Sequence, residues 1–150
     1  MPEQNKLDDI HKYFASNLFN QTWELLDNPK RTEEEDFLMI HKAHASLYHW
    51  TQVGTPEQVY IGEWQVSRVY SMLKMGESAL KHAKRSLTIC VENSFTGFNL
   101  AYAYESLARA YAVKGELGDK DSYLDEAIAE SNNITDKESR QMLLDDLKTI

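Results

Sequence analysis

The sequence predicts an all-α fold of about seven antiparallel helices, and three observations carry that expectation. Apolar residues recur at spacings of three and four along most of the chain, which places them on one face of a 3.6-residue helix. Helix start signals (Thr32 with Glu35, Thr55-Pro56-Glu57-Gln58, Thr135 with Glu138) alternate with stop signals (Asn28-Pro29, Gly54, Gly76, Gly97, Gly115, Asn132-Asn133). No stretch alternates polar and apolar residues for long enough to make a strand.

The elements follow in order. Leu7, Ile10, Phe14, Leu18 and Leu25 form one stripe, which Asn28-Pro29 closes. Thr32 and Glu35 make a capping box, with the acidic run Glu33–Asp36 on the positive end of the helix dipole; Ile40, Ala43, Leu47 and Trp50 are its apolar face. Pro56 at a first helical position opens the third helix, with Val59, Val66, Tyr70 and Leu73 as its stripe. Ala79, Leu80, Ala83, Leu87 and Cys90 mark the fourth, and Leu100, Tyr104, Leu107, Ala108 and Tyr111 the fifth. Tyr123, Leu124, Ala127 and Ile128 begin the sixth; Leu143, Leu147 and Ile150 end the chain. Connections this short favour antiparallel neighbours, hence stacked helical hairpins or a bundle.

Length and composition, 150 residues of which 42% are hydrophobic and 27% charged, fit one domain spanning 1–150. No apolar run approaches the roughly 18 residues of a membrane span, and the N-terminus lacks an apolar stretch behind a basic start, so neither membrane insertion nor a secretory leader is expected. The single Cys90 lies on an apolar stripe and reads as a buried, inert thiol in a reducing, cytoplasmic setting. A net charge of −8 repels nucleic acid. The local exception, Lys74, Lys81, Lys84 and Arg85 with Glu77, reads as a solvated helix face with a Glu77–Lys81 pair.

No glycine-rich phosphate loop, dinucleotide fingerprint or nucleophile-elbow serine is present, so no catalytic residue and no cofactor is assigned. The polar candidates are His44, Tyr48 and His49 on the second helix, and Glu63 and Glu105 on otherwise small or apolar faces. An acid on such a face is either exposed at a groove or paired when buried. One reading joins His44 or His49 to Glu63 as the centre of a small helical-bundle metal protein or acid–base enzyme. Against it, the chain lacks the Glu-x-x-His spacing of di-iron bundles and the His-Glu-x-x-His of zinc proteases. His82 reads as solvated and Asp8–His11 as an ordinary surface pair.

Three bulky residues each precede a glycine by four positions: Trp50–Gly54, Met72–Gly76 and Tyr111–Gly115. The fullest unit, Tyr104-x-x-Leu107-Ala108-x-x-Tyr111-x-x-x-Gly115 followed by Ala127, resembles the first helix of a tetratricopeptide repeat and its partner. Residues His44–Trp50 together with Gly62-Glu63-Trp64 are also similar to bacterial proteins of this repeat-like type. The resemblance implies repeat-like units at about 57–94 and 97–132, a C-terminal capping helix over 136–150, and a tetratricopeptide-like superhelix. It further implies a non-enzymatic scaffold that holds a partner peptide or helix on the face made by the first helix of each pair. Carried onto the clear unit, the groove-facing residues are Tyr102, Glu105 and Arg109; alignment through Gly76 adds Glu63, Tyr70 and Lys74. In this reading Glu105→Ala or Arg109→Ala weakens docking and leaves the fold intact. A short array with an exposed aromatic face also admits self-association.

Overall fold

A computed structural model describes residues 2–150 and contains seven helices and no strand among them. Met1, where the N-terminal segment read for a leader begins, lies outside the described residues. The helices are α1 (Pro2–Leu26), α2 (Glu33–Val53), α3 (Pro56–Met72), α4 (Gly76–Glu92), α5 (Phe98–Lys114), α6 (Leu117–Ser131) and α7 (Lys137–Leu147). They pack as antiparallel hairpins α1/α2, α3/α4 and α5/α6, and each hairpin rests on the next. No described helix is long and apolar enough to cross a membrane.

Local chemistry explains most boundaries. Both expected capping boxes form: Thr32 Oγ1 accepts from the Glu35 amide at 3.1 Å, and Thr55 Oγ1 from the Gln58 amide at 3.3 Å. At α7 the cap is Asp136 rather than Thr135. Its carboxylate accepts from the Ser139 amide (2.9 Å) and hydroxyl (2.7 Å), which a charged acceptor one residue on does better.

Two glycines read as stops instead stand at starts. Gly76 is the first residue of α4, and a Cβ there would lie 2.6 Å from Lys114 Cγ, so the glycine permits α4 to meet the end of α5. Gly97 precedes α5, and its amide donates to Glu130 Oε1 at 2.7 Å. The residue that ends α3 is Lys74, in the left-handed region at φ 62°. There the amides of Lys74 and Met75 return to the carbonyls of Ser71 (3.1 Å) and Tyr70 (2.8 Å). The end of α5 is built identically: Gly115 has φ 78°, and the amides of Gly115 and Glu116 return to Ala112 and Tyr111 at 3.0 Å. The two hairpins therefore correspond through Lys74 and Gly115, not through Gly76. That correction shifts the register between them by two residues.

Between hairpins, small side chains let backbones approach. Ser67, Ala79, Ala83, Ser86, Ala103, Ser106 and Ala110 are all buried where α3, α4 and α5 meet. Larger residues fill the remaining space: Met39, Leu47, Val66 and Val69 between α2 and α3, and Tyr102, Leu143 and Leu147 where α5, α6 and α7 meet. The first half of α1 departs from its stripe. Leu7, Ile10 and Phe14 are 46%, 50% and 42% exposed, because only α2 lies against them.

Helix α1 packs on α2, touches α3 marginally, and meets none of α4–α7. The array is thus an open stack rather than a closed bundle, with α1, α3, α5 and α7 along one side.

Candidate functional site

The side shared by α1, α3, α5 and α7 carries an ion-pair network with a hollow on either flank. Helices α3 and α5 run parallel, so residues at matching heights face one another. Glu105 on α5 is 1% exposed and its carboxylate takes three donors. Trp64 Nε1 reaches Oε2 at 3.2 Å, while Arg68 Nη1 (2.9 Å) and Arg109 Nε (2.7 Å) share Oε1. The guanidinium of Arg68 also lies 6.0 Å from the Trp64 ring centroid. Arg109 Nη2 continues onto α7 and the residues after it, donating to the Asp146 carbonyl (3.1 Å) and Thr149 Oγ1 (2.8 Å). Tyr102 donates to Asp146 Oδ2 at 2.6 Å; burial first, then this acceptor, pushes its phenol far above the ordinary range.

On one flank is an aromatic cleft of about 290 Å³. Phe19 and Trp23 come from α1, Tyr60, Ile61 and Trp64 from α3, Phe98 and Tyr102 from α5, and Met142 from α7. Ring centroids of Trp23 and Trp64 are 5.8 Å apart, those of Trp64 and Tyr102 5.6 Å and edge-on, those of Phe98 and Tyr102 4.8 Å. The polar residues in its wall are Glu57, Asn99 and Asp146. The other flank, also about 290 Å³, is lined by Arg68, Ser71, Met72, Lys74, Arg109 and Thr149. Its Ser71 hydroxyl is buried with no hydrogen-bond partner.

A second polar cluster lies on the opposite side of α3. Glu63 is 4% exposed and accepts from His82 Nδ1 at 2.6 Å and Arg85 Nε at 2.8 Å. Burial pushes the Glu63 carboxyl up, but these two hydrogen bonds and the charges behind them outweigh it, so the net shift is downward. His82 stacks on Tyr70 at 5.8 Å, and the Tyr70 hydroxyl is 2.8 Å from His44 Nε2. Desolvation, then the neighbouring His82, lowers the pKa of His44. In the corrected register Glu63, Tyr70 and His82 occupy the positions that Tyr104, Tyr111 and Tyr123 hold in the next hairpin. There the Tyr111 and Tyr123 rings stack at 5.7 Å and 7°.

The sequence-derived candidates therefore fall into separate groups. Tyr102, Glu105 and Arg109 meet in the α3/α5/α7 network, and Lys74 lies at its edge, exposed beside Arg68 and Arg109. Glu63 and Tyr70 face α2 and α4 instead. Tyr48 and His49 are ring neighbours at 5.6 Å, while His44 sits with Tyr70 and His82. Tyr48 is 58% exposed, and His49 Nδ1 lies 2.9 Å from His11 Nδ1 with its ring stacked on Phe14 at 5.4 Å. The partner of Glu63 is His82, not His44 or His49. Among the described residues no group of three or more His, Cys, Asp or Glu side chains is placed to hold a metal ion. The expected surface pairs also change: Glu77 faces Lys114 at 3.7 Å rather than Lys81, and Asp8 accepts from Gln4 at 2.8 Å. Cys90 is buried, and desolvation pushes its thiol up to about 12.

Sequence reasoning missed Trp64, Arg68, Asp146 and His82. Arg68 was legible in principle, since it stands to Lys74 as Arg109 stands to Gly115; placing the register on Gly76 hid it. His82 falls on the stripe Ala79, Ser86, Cys90, whose burial signals a partnered rather than solvated imidazole. Asp146 carried no local signal.

Comparison with protein-family models, curated proteins and solved structures yields no match.

Proposed function

We propose that the chain is a non-enzymatic, tetratricopeptide-like docking module that holds a peptide or helix of a protein partner in the groove along α1, α3, α5 and α7. The observation that supports this most is the cleft on that side, in which partly exposed Trp23, Trp64 and Phe98 from three helices converge. Aromatic side chains offer large contact area at small entropic cost, and tryptophan and tyrosine are enriched where binding energy concentrates. The floor is already ordered: Glu105 holds Trp64, Arg68 and Arg109 in place, so a docking segment does not have to immobilise them. Tyr102, Arg109 and Lys74 border the groove, and Glu105 supports it from beneath.

Photo-crosslinking tests the reading. A benzophenone amino acid placed at Phe98 is expected to trap a partner polypeptide in cells. The same group at Val91, exposed on α4 away from the groove, is expected to trap none. Absence of a Phe98 adduct, or equal adducts at both positions, removes the groove as the docking site.

A further inference from the structure

The aromatic cleft has a composition that points to one class of ligand. Its walls are ring faces and edges supplied by Trp23, Trp64, Phe98 and Tyr102, and its charged lining residues are both acids, Glu57 and Asp146. No lysine or arginine is among the lining residues. Arg68, which is not among the lining residues, is held by the Glu105 carboxylate at 2.9 Å and lies 4.0 Å from Asp146 Oδ1. Aromatic faces carry partial negative charge and attract cations, most strongly where water is excluded. A carboxylate at the rim adds to that attraction: Asp146 accepts from Tyr102 through Oδ2 while its Oδ1 lies 4.0 Å from Arg68 Nη2, and Glu57 accepts from the Asn99 side-chain amide at 3.2 Å. An anion here would meet two carboxylates, and the neighbouring Arg68 guanidinium is already held by Glu105 and Asp146.

We propose that this cleft is a binding site for a small organic ammonium compound, its alkylated cationic head set against Trp23, Trp64 and Phe98 with Asp146 and Glu57 at the rim. A volume of about 290 Å³ matches the lower end of ligand pockets, that of a whole small molecule rather than the tip of one side chain. The cation would occupy the same cleft that the docking reading uses, so the two compete for it, but binding a free cation does not require a docked polypeptide.

Choline provides the test, with 3,3-dimethylbutan-1-ol as its uncharged isostere. Tryptophan fluorescence and amide chemical shifts are followed during titration at constant ionic strength, held with sodium chloride. Choline is expected to saturate the protein and to bind between about 2-fold and about 30-fold more tightly than the isostere. Phe98→Leu keeps apolar area but removes a ring face, and Asp146→Asn keeps an acceptor for Tyr102 but removes the charge. Both are expected to narrow the preference for choline while their far-UV circular dichroism stays that of the wild type. Equal affinity for the two probes, or no saturable shift with choline, overturns the proposal. A blocked peptide carrying trimethyllysine is the third arm. Binding of that peptide well above choline would assign the cleft to a modified side chain and overturn its assignment to a free compound.

Discussion

At Glu105, burial, charge and geometry converge on one carboxylate. It accepts from an indole and two guanidinium groups drawn from α3 and α5, and it is almost wholly removed from solvent. Removing it would leave Arg68 and Arg109, each about 15% exposed, facing one another without the anion between them. Breaking a buried ion pair by deleting one partner is strongly destabilising, because the remaining charge stays desolvated. Glu105→Ala is therefore expected to lower unfolding free energy by about 3 kcal/mol in urea titrations. A change below about 0.5 kcal/mol, the level of an ordinary surface substitution, would show that the carboxylate has no structural role. This reverses the expectation drawn from the resemblance, in which Glu105→Ala spared the fold. A carboxylate among alanines was legible as unusual; that its partners were Arg68 and Trp64 was not, because the nearest of them is 37 positions away.

At the scale of the element, the two equivalent hairpin turns differ in one informative way. Gly115 takes the left-handed conformation freely, whereas Lys74 takes it against the clash of its Cβ. Lys74→Gly is expected to raise stability by about 0.5–1 kcal/mol, the relief of strain less the entropy that glycine adds to the unfolded chain. Gly115→Ala is expected to lower it by about 1 kcal/mol. Thermal unfolding monitored by circular dichroism checks both signs. A destabilised Lys74→Gly would mean that the lysine side chain contributes more at the turn than its backbone costs. Glycine is the usual mark of such a turn, and its absence at position 74 moved the sequence-level repeat onto Gly76. The helices were legible; the register between them was not.

Across the whole molecule, stability is linked to pH through the half-buried His44 and His49 and the buried Glu63, which lie where helices meet. Desolvation lowers the pKa of both His44 and His49, with His82 and His41 adding to the effect at His44 and His11 at His49, while Glu63 opposes it at His44. The His11–His49 contact joins two imidazole nitrogens, so one of them must be bare to accept. For a group whose folded pKa is depressed, the unfolded state binds more protons below the unfolded value. Stability is thus fully present above about 6.5 and declines as pH falls through the lower folded values. Glu63, also lowered, adds a second loss that sets in below about 4.5. Melting temperature is expected to fall between pH 7.5 and pH 5.5, and the His44→Gln, His49→Gln pair is expected to flatten that fall. An undiminished slope in the pair would place the linkage on other groups.

Periodicity and local capping chemistry were sufficient for the all-α class, the number of helices and two of the capping boxes, because those features depend on residues within a turn or two of each other. The paired glutamates could be anticipated as buried and partnered or exposed at a groove, since an acid on an apolar face has only those two outcomes. Which outcome held, which side chain each acid found, and whether the helices closed into a bundle or stacked openly were decided by tertiary structure. Glu63 meets His82, Glu105 meets Arg68 and Arg109, and Tyr102 meets Asp146 because three hairpins stack in one register. That register rests on small residues at the α3–α4–α5 contacts and on a left-handed lysine, and neither leaves a strong mark in a single sequence. The open stack leaves the cleft between α1, α3, α5 and α7 unfilled, and a cleft of this kind exists only once helices far apart in the chain have been brought side by side.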